Sequence, residues 1–360
     1  MDRMSTDRGA RRRMRVDRLN RRTFLKGLGA GAALLACPSW VRETYAMSGR
    51  GMPGPPEMEA ILLKALGRGG QYADLFLETR LSTHISMTGG EVDGLEYGVL
   101  LGGGVRTIVG EKSGFAYAES FDVDELAAVA ESAALIASGG GGRSVVPVRQ
   151  VSVPEVVGAR EAVDDVEVAA KVEILRRVDE AARAVSPHIK QVRIDYQDAT
   201  QTFRLAHSDG AFYDDELPVI YLRVNVSAER DGGTAEGMRR VSGRQGMELL
   251  AGTVPEDAGR EAAEQAIRML AAQPAPTGEL PLVIAAGGGV MFHEAVGHGL
   301  EADAVLREAT VFAGRVGEPV ASEHVTLYDD GTIPGARGSI NIDDEGTPAK
   351  KTLLIEKGIL

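Results

Sequence analysis

"TFRLAHSDGAFYDDELPVIYLRVNVSAER", residues 202–230, is the stretch that decides the fold class. "TFRLAHS" and "LPVIYLRVNVSAER" read as strands, and Ser208–Gly210 between them has the composition of a hairpin turn, which joins neighbours antiparallel. "QVRIDYQD" (191–198) reads as a further strand just before them. Helices bracket this run. "VEVAAKVEILRRVDEAARAV" (166–185) precedes it, and "VPEDAGREAAEQAIRMLAAQ" (254–273), with Pro255 near its first turn, follows it.

The region before residue 139 has the same build. Residues 56–67 read as a helix ended by glycine. "ADLFLETR", "STHISMTG", "EVDGLEYGVL", "GVRTIVG" and "GFAYAES" read as short strands separated by glycine-containing turns. "DVDELAAVAESAALIAS" (122–138) is an amphipathic helix with Asp122 or Asp124 as its N-cap. Residues 139–160, rich in Gly, Val and Pro, read as a linker or an extended crossing segment, and "PAPTGE" (274–279) reads as a boundary. Helices grouped between runs of antiparallel strands predict an α+β fold. The expected organisation is an N-terminal segment, 1–46; an α+β region, 47–275, in two sub-parts (about 57–138 and 160–275); and a β-rich third part, 276–360.

The 360 residues are 44% hydrophobic and 26% charged, with 45 glycines and a net charge of −12. No apolar run reaches the roughly 20 residues that span a bilayer. Residues 1–26 hold nine Arg and Lys26 against three Asp, a net +7, which leaves −19 on the remainder. So acidic a body repels phosphate backbones, and this argues against a nucleic-acid partner. The basic start leads into "NRRTFLKGLGAGAALLACPSW", where Arg21–Arg22 precede Phe24-Leu25-Lys26 and a short Gly/Ala-rich apolar run. That order is the pattern of a twin-arginine export signal, which predicts a location outside the cytoplasm; the competing reading is a basic tail beside an amphipathic helix on a cytoplasmic protein. Two processing outcomes compete: lipidation at Cys37 within "LLAC", or cleavage after Ala46. Cys37 is the only cysteine, so the body carries no disulfide.

Several chemical candidates fall away. "VGEKSG" lacks phosphate-loop spacing, no GxSxG elbow is present, and "YDDG" and "NIDDEG" lack calcium-loop spacing. His84, His188, His207 and His324 read as surface or core residues. "GGGVMFHEAVGHGLE" (287–301) remains, with His293, Glu294 and His298. Helical positions five apart are offset by about 140°, against about 40° for positions four apart, so a regular helix points these imidazoles away from each other. Gly297 and Gly299 flank His298 and admit a π-bulge or an early helix end, either of which swings it back. Glu294 then stands where a general base beside a metal would stand. On the residues alone, a metal site and an ordinary helix both remain open.

"MFHEAVGHGLEAD" (291–303) and the long run from Val316 to Leu360 resemble the TldD branch of the TldD/PmbA family of metallopeptidases. "YADLFLE" (72–78), "YGVLLGGGVRTIVGEKSGFAYAE" (97–119) and "AHSDG" (206–210) match the family in order, so the resemblance covers essentially residues 57–360. It implies a zinc peptidase acting on small or unstructured peptides, with His293 and His298 as ligands and Glu294 as base. It further implies a homodimer, or a heterodimer with a PmbA-like subunit. The family's familiar members work in the cytoplasm, so the export signal is a departure.

A catalytic zinc takes three protein ligands, and in the family the third is a C-terminal cysteine, yet none follows Cys37. Glu301 is the nearest substitute and is read as a residue behind the ligands; Asp303 and His324 are weaker candidates. "TLLIEKGIL" reads as a strand, a Lys-Gly turn and two residues of a returning strand, so the chain is expected to be truncated there, with the Thr352–Glu356 edge unpaired. Weak zinc binding, little or no cleavage and aggregation are the corresponding expectations. The reading from a different class is a non-catalytic subunit that positions peptides for a partner. A DNA- or gyrase-associated regulator conflicts with the acidic body.

Overall fold

Long antiparallel ribbons carry the N-terminal half of the molecule. The computed structural model describes residues 51–138 and 144–360; Arg21, Arg22, Cys37 and the 1–46 segment lie outside them. Strands β1 (Tyr72–Thr88) and β2 (Glu91–Val109) meet at a turn whose glycines, Gly89 and Gly90, hold φ of 65° and 82°. β3 (Lys112–Ala118) lies against β2. Helices α1 (Pro55–Leu66) and α2 (Val123–Ala137) cover this unit, and Asp122 caps α2 by accepting from the amides of Asp124 and Glu125. The second unit runs β4 (Arg149–Gln150), α3 (Val168–Ala184), β5 (Ile189–His207), β6 (Ala211–Arg230), β7 (Gly233–Gly243) and α4 (Val254–Met269).

β1 pairs with β5 from Asp74↔His207 to Thr88↔Arg193, and this merges the two units into one sheet. Among the described residues its order is β3-β2-β1-β5-β6-β4, with β7 also on β6. The α+β class is as expected. The short strands are not, because segments expected as separate fuse into single strands of 17 to 19 residues in β1, β2 and β5. The glycines expected in turns sit inside β2, where they permit close approach. A Cβ on Gly94 or Gly98 would fall 2.5 or 2.4 Å from the hydroxyl of Ser86 or Ser82, and one on Gly103 would fall 2.6 Å from both Leu77 and Leu126. β7 was not anticipated, although its turn, Asp231–Gly232 with φ of 54° and 78°, is a hairpin signature.

Both helix pairs lie over apolar positions of the sheet. Ile61 and Leu62 of α1 and Leu126 of α2 are fully buried with Leu75, Leu77 and Val105. Leu175 and Val178 of α3 and Ala262 and Ala266 of α4 are fully buried with Ile194, Leu222 and Val224. Each fully buried Leu, Ile or Val stabilises the fold by about 1.5–3 kcal/mol. One ion pair sits inside the second core. Lys171 Nζ is 2.5 Å from Asp198 Oδ2, and that oxygen also accepts from the Tyr196 hydroxyl. Burial first, then the charge of Asp198, pushes the Tyr196 phenol far above its usual value, so it remains the donor.

The third part carries α5 (Val290–Ala295), α6 (Ala302–Leu306), β8 (Leu327–Asp330) and β9 (Lys351–Ile355). The expectation of an unpaired Thr352–Glu356 edge is corrected for one edge of β9, while the other has no strand beside it among the described residues. β9 takes an upstream partner, pairing from Leu327↔Ile355 to Asp330↔Lys351, and a turn at Lys357–Gly358 returns Ile359 to bridge Glu356 and Pro319. Asn341 ties this part to the rest. Its Oδ1 accepts from the amides of Val156 and Val157 at 2.7 and 2.9 Å, and its Nδ2 donates to the Val157 carbonyl and to Asp215 Oδ1. Replacing it strands several buried polar groups, each costing about 1–3 kcal/mol. Asn341→Ala is therefore expected to lower stability by about 3 kcal/mol in urea unfolding; an unchanged midpoint would show that the clamp contributes nothing.

Candidate metal centre

α5 is short for a physical reason. It stops at Ala295, Val296 leaves helical geometry with φ −130° and ψ −44°, and a single tight turn, Gly297–Leu300, follows. This early end brings the two histidines together, with ring centroids 4.3 Å apart and planes inclined at 58°. No glycine with positive φ is needed at 297, since what matters there is the missing side chain. A Cβ on Gly297 would fall 2.7 Å from His293 Nδ1, closer than real contacts allow. Gly299 leaves room for Phe312 and for Thr310, whose hydroxyl donates to the Gly299 carbonyl at 2.7 Å.

The carboxylates sit around His298. Glu301 Oε1 lies 2.9 Å from Nδ1, and Glu294 Oε2 lies 3.8 Å from Nε2. The hydrogen bond to Glu301, and then its charge, raise the His298 pKa above the usual histidine range. Both carboxylates and the His298 ring are exposed, so the cluster is open to a ligand from solvent.

The donor chemistry fits a divalent cation. Among the described residues, His293, His298 and Glu301 each offer one donor atom, all within 4.8 Å of one another. Donors about 2.0–2.1 Å from a tetrahedral zinc are roughly 3.3 Å apart, so the cluster needs only slight tightening. Glu301 on Nδ1 has the arrangement of a carboxylate that fixes a histidine tautomer and frees the other nitrogen for metal. The weaker candidates stand apart. Asp303 is held by Arg307, and His324 is outside the cluster. His207 is a core residue between the rings of Tyr72 and Tyr213. Gly297 acts through its absent side chain, a role that spacing alone does not reveal. Gly297→Ala is expected to push the His293 ring aside and weaken zinc binding by on the order of tenfold, without lowering the unfolding midpoint. Titration calorimetry showing unchanged affinity would refute this role.

Models of the PmbA/TldA metallopeptidase family match three stretches: domain 1 at residues 73–137, the central domain at 161–270 and the C-terminal domain at 277–360. A metalloprotease TldD homolog of Haemophilus influenzae is 34% identical over 302 residues, covering 81% of this chain and 62% of the relative. A metalloprotease of Methanocaldococcus jannaschii is 30% identical over 297 residues, covering 81% and 65%. The chain thus spans somewhat less than two thirds of the length of these relatives. Among solved structures, TldE from Thermococcus kodakarensis superposes with a TM-score of 0.68 at 20% identity, covering 84% of this chain and 68% of that one. A Thermotoga maritima protein described as a candidate modulator of a DNA gyrase gives 0.69 at 19% identity, covering 85% and 68%. At these identities the structures speak to the fold alone.

Proposed function

Because this chain belongs to the PmbA/TldA metallopeptidase family, we propose that it is a zinc-dependent peptidase for small or unstructured peptides, built on His293, Glu294 and His298. The observation that carries this reading is the approach of the two imidazoles, 4.3 Å between ring centres, across a helix end that regular geometry would forbid. His293 and His298 hold the metal, and Glu301 orients the His298 ring through Nδ1. Zinc, when bound there, supplies the Lewis acidity that polarises a scissile carbonyl and acidifies water. Glu294, whose Oε2 lies 3.8 Å from His298 Nε2 and which is open to solvent, takes the proton from the attacking water and returns it to the leaving amine. With Glu301 engaged on Nδ1, His293 and His298 are the two ligands left in the cluster among the described residues, which favours weak zinc binding.

A second reading has its own support in that engaged Glu301: a subunit that positions peptides for an active partner. The partner would be a PmbA-like chain or a second copy of this one. Leu282, Val283, Leu306, Val311 and Val316, all largely exposed, supply apolar surface for such a contact. A gyrase-modulating role, the description attached to the Thermotoga maritima structure, has the acidic body against it.

Two experiments address the proposal. Glu294→Gln is expected to keep the zinc affinity of the parent chain and to lose about 10²–10⁴-fold in cleavage of an unfolded peptide; undiminished chelator-sensitive turnover would remove Glu294 as the base. Export by the twin-arginine route, the reading of Arg21–Arg22, predicts that the Arg21→Lys/Arg22→Lys precursor stays in the cytoplasm. Recovery of that double variant outside the cytoplasm would contradict it.

A further inference from the structure

The helices α1–α4 pack on one side of the sheet, and among the described residues no helix covers the other side at its β1–β2–β3 end. There an open cavity of about 1000 Å³ lies over the middle of β2. Its floor is the backbone of Gly102–Gly104. The absent side chain of Gly104 makes room for the Phe115 ring, since a Cβ there would fall 2.9 Å from Phe115 Cε2. Phe115 and Tyr117 stack with centroids 6.3 Å apart and are 60% and 70% exposed; Leu100, further along β2, is 56% exposed. Two adjacent aromatic rings this open are unusual on a surface and mark a site of interaction.

The rim has one sign of charge. Glu78, Glu119 and Asp344 line the cavity, along with Asp74 and Glu345. Arg106 is the sole cation among the lining residues, and it is taken by two of these carboxylates: its guanidinium lies 2.5 Å from Asp74 Oδ2 and 2.8 Å from Glu345 Oε1. Glu78 already has Arg80 and Gln201 as partners, which leaves Glu119 and Asp344 as the carboxylates of the rim. The groove therefore offers aromatic faces and a net negative rim together, which suits a ligand with apolar side chains and cationic groups. Its length suits a peptide. From Leu100 to Arg106, β2 covers about 20 Å at roughly 3.3 Å per residue, the span of some six extended residues.

We propose that this groove docks an extended basic peptide segment, with apolar side chains laid on Phe115, Tyr117 and Leu100 and its Lys or Arg side chains facing Glu119 and Asp344. This rests on the peptidase reading for the class of ligand, and it makes the groove a recognition surface separate from the histidine cluster. It gives the molecule a preference for cationic unfolded chain that the metal centre by itself would not impose.

The test is fluorescence anisotropy with labelled Lys-Phe-Lys-Leu-Lys-Phe and its acidic counterpart Glu-Phe-Glu-Leu-Glu-Phe, using the chelator-treated full chain so that cleavage plays no part. The basic peptide should bind at least tenfold more tightly than the acidic one, and 0.5 M salt should weaken it. Tyr117→Ser and Glu119→Lys, both exposed positions, should each reduce that affinity several-fold while leaving the unfolding midpoint unchanged. Equal binding of the two peptides, or no change in either variant, overturns the proposal. So does dissociation of a dimer by Tyr117→Ser in sedimentation without any peptide binding, since the face is then a contact between copies. Binding without cleavage after zinc is restored would sink the peptidase reading and leave the groove standing. Cleavage that ignores both variants and the peptide's charge would do the reverse.

Discussion

The pairing of β1 with β5 is the constraint on which the rest of the molecule depends. It runs from Asp74↔His207 to Thr88↔Arg193 and is the junction between two units that otherwise repeat one plan, a run of antiparallel strands with two helices on one face. A one-residue slip there would turn Leu75, Leu77 and Ile85 out of the core and Phe76 and Glu78 into it. Register at this junction therefore sets both what α1–α4 cover and what the opposite face presents. That face is where Asn341 brings in the third part, through Val156, Val157 and Asp215.

Much of the fold was legible in the residues because its local signals agree with its packing. The four long helices announce themselves through apolar spacing and ends such as Asp122 and Pro255, and the Ser208–Gly210 turn is where the hairpin forms. Glycine misled. Gly94, Gly98 and Gly102–Gly104 have the composition of turns, yet they lie within β2, because what they relieve is crowding by Ser86, Ser82, Leu126 and Phe115. A single sequence reports that a side chain is missing; only the neighbours tell whether conformation or space is the reason. β7 escaped notice for a different cause. Its exposed, polar residues hide the strand, which is held by pairing to β6 and by Gly237 lying under α4.

The site was legible to a similar degree. The spacing of His293 and His298 raised the question, and the flanking glycines suggested an early helix end, which is the geometry found. Glu301, read from the residues as a supporting carboxylate or substitute ligand, contacts Nδ1 of His298. What the residues did not disclose is how close Gly297 lies to the His293 ring, or that β9 finds its partner upstream in β8.

These elements make one physical account. A sheet with a single register supports a third part that an asparagine clamp holds, and in that part a broken helix turns two imidazoles toward one point, with carboxylates beside them. X-ray absorption at the zinc edge, on the 360-residue chain loaded with one equivalent of zinc, tests this most directly. The account predicts two imidazole nitrogens at about 2.0–2.1 Å, with the histidine signature halved in His293→Ala and in His298→Ala. A spectrum without histidine scattering, or one that neither substitution alters, would contradict it.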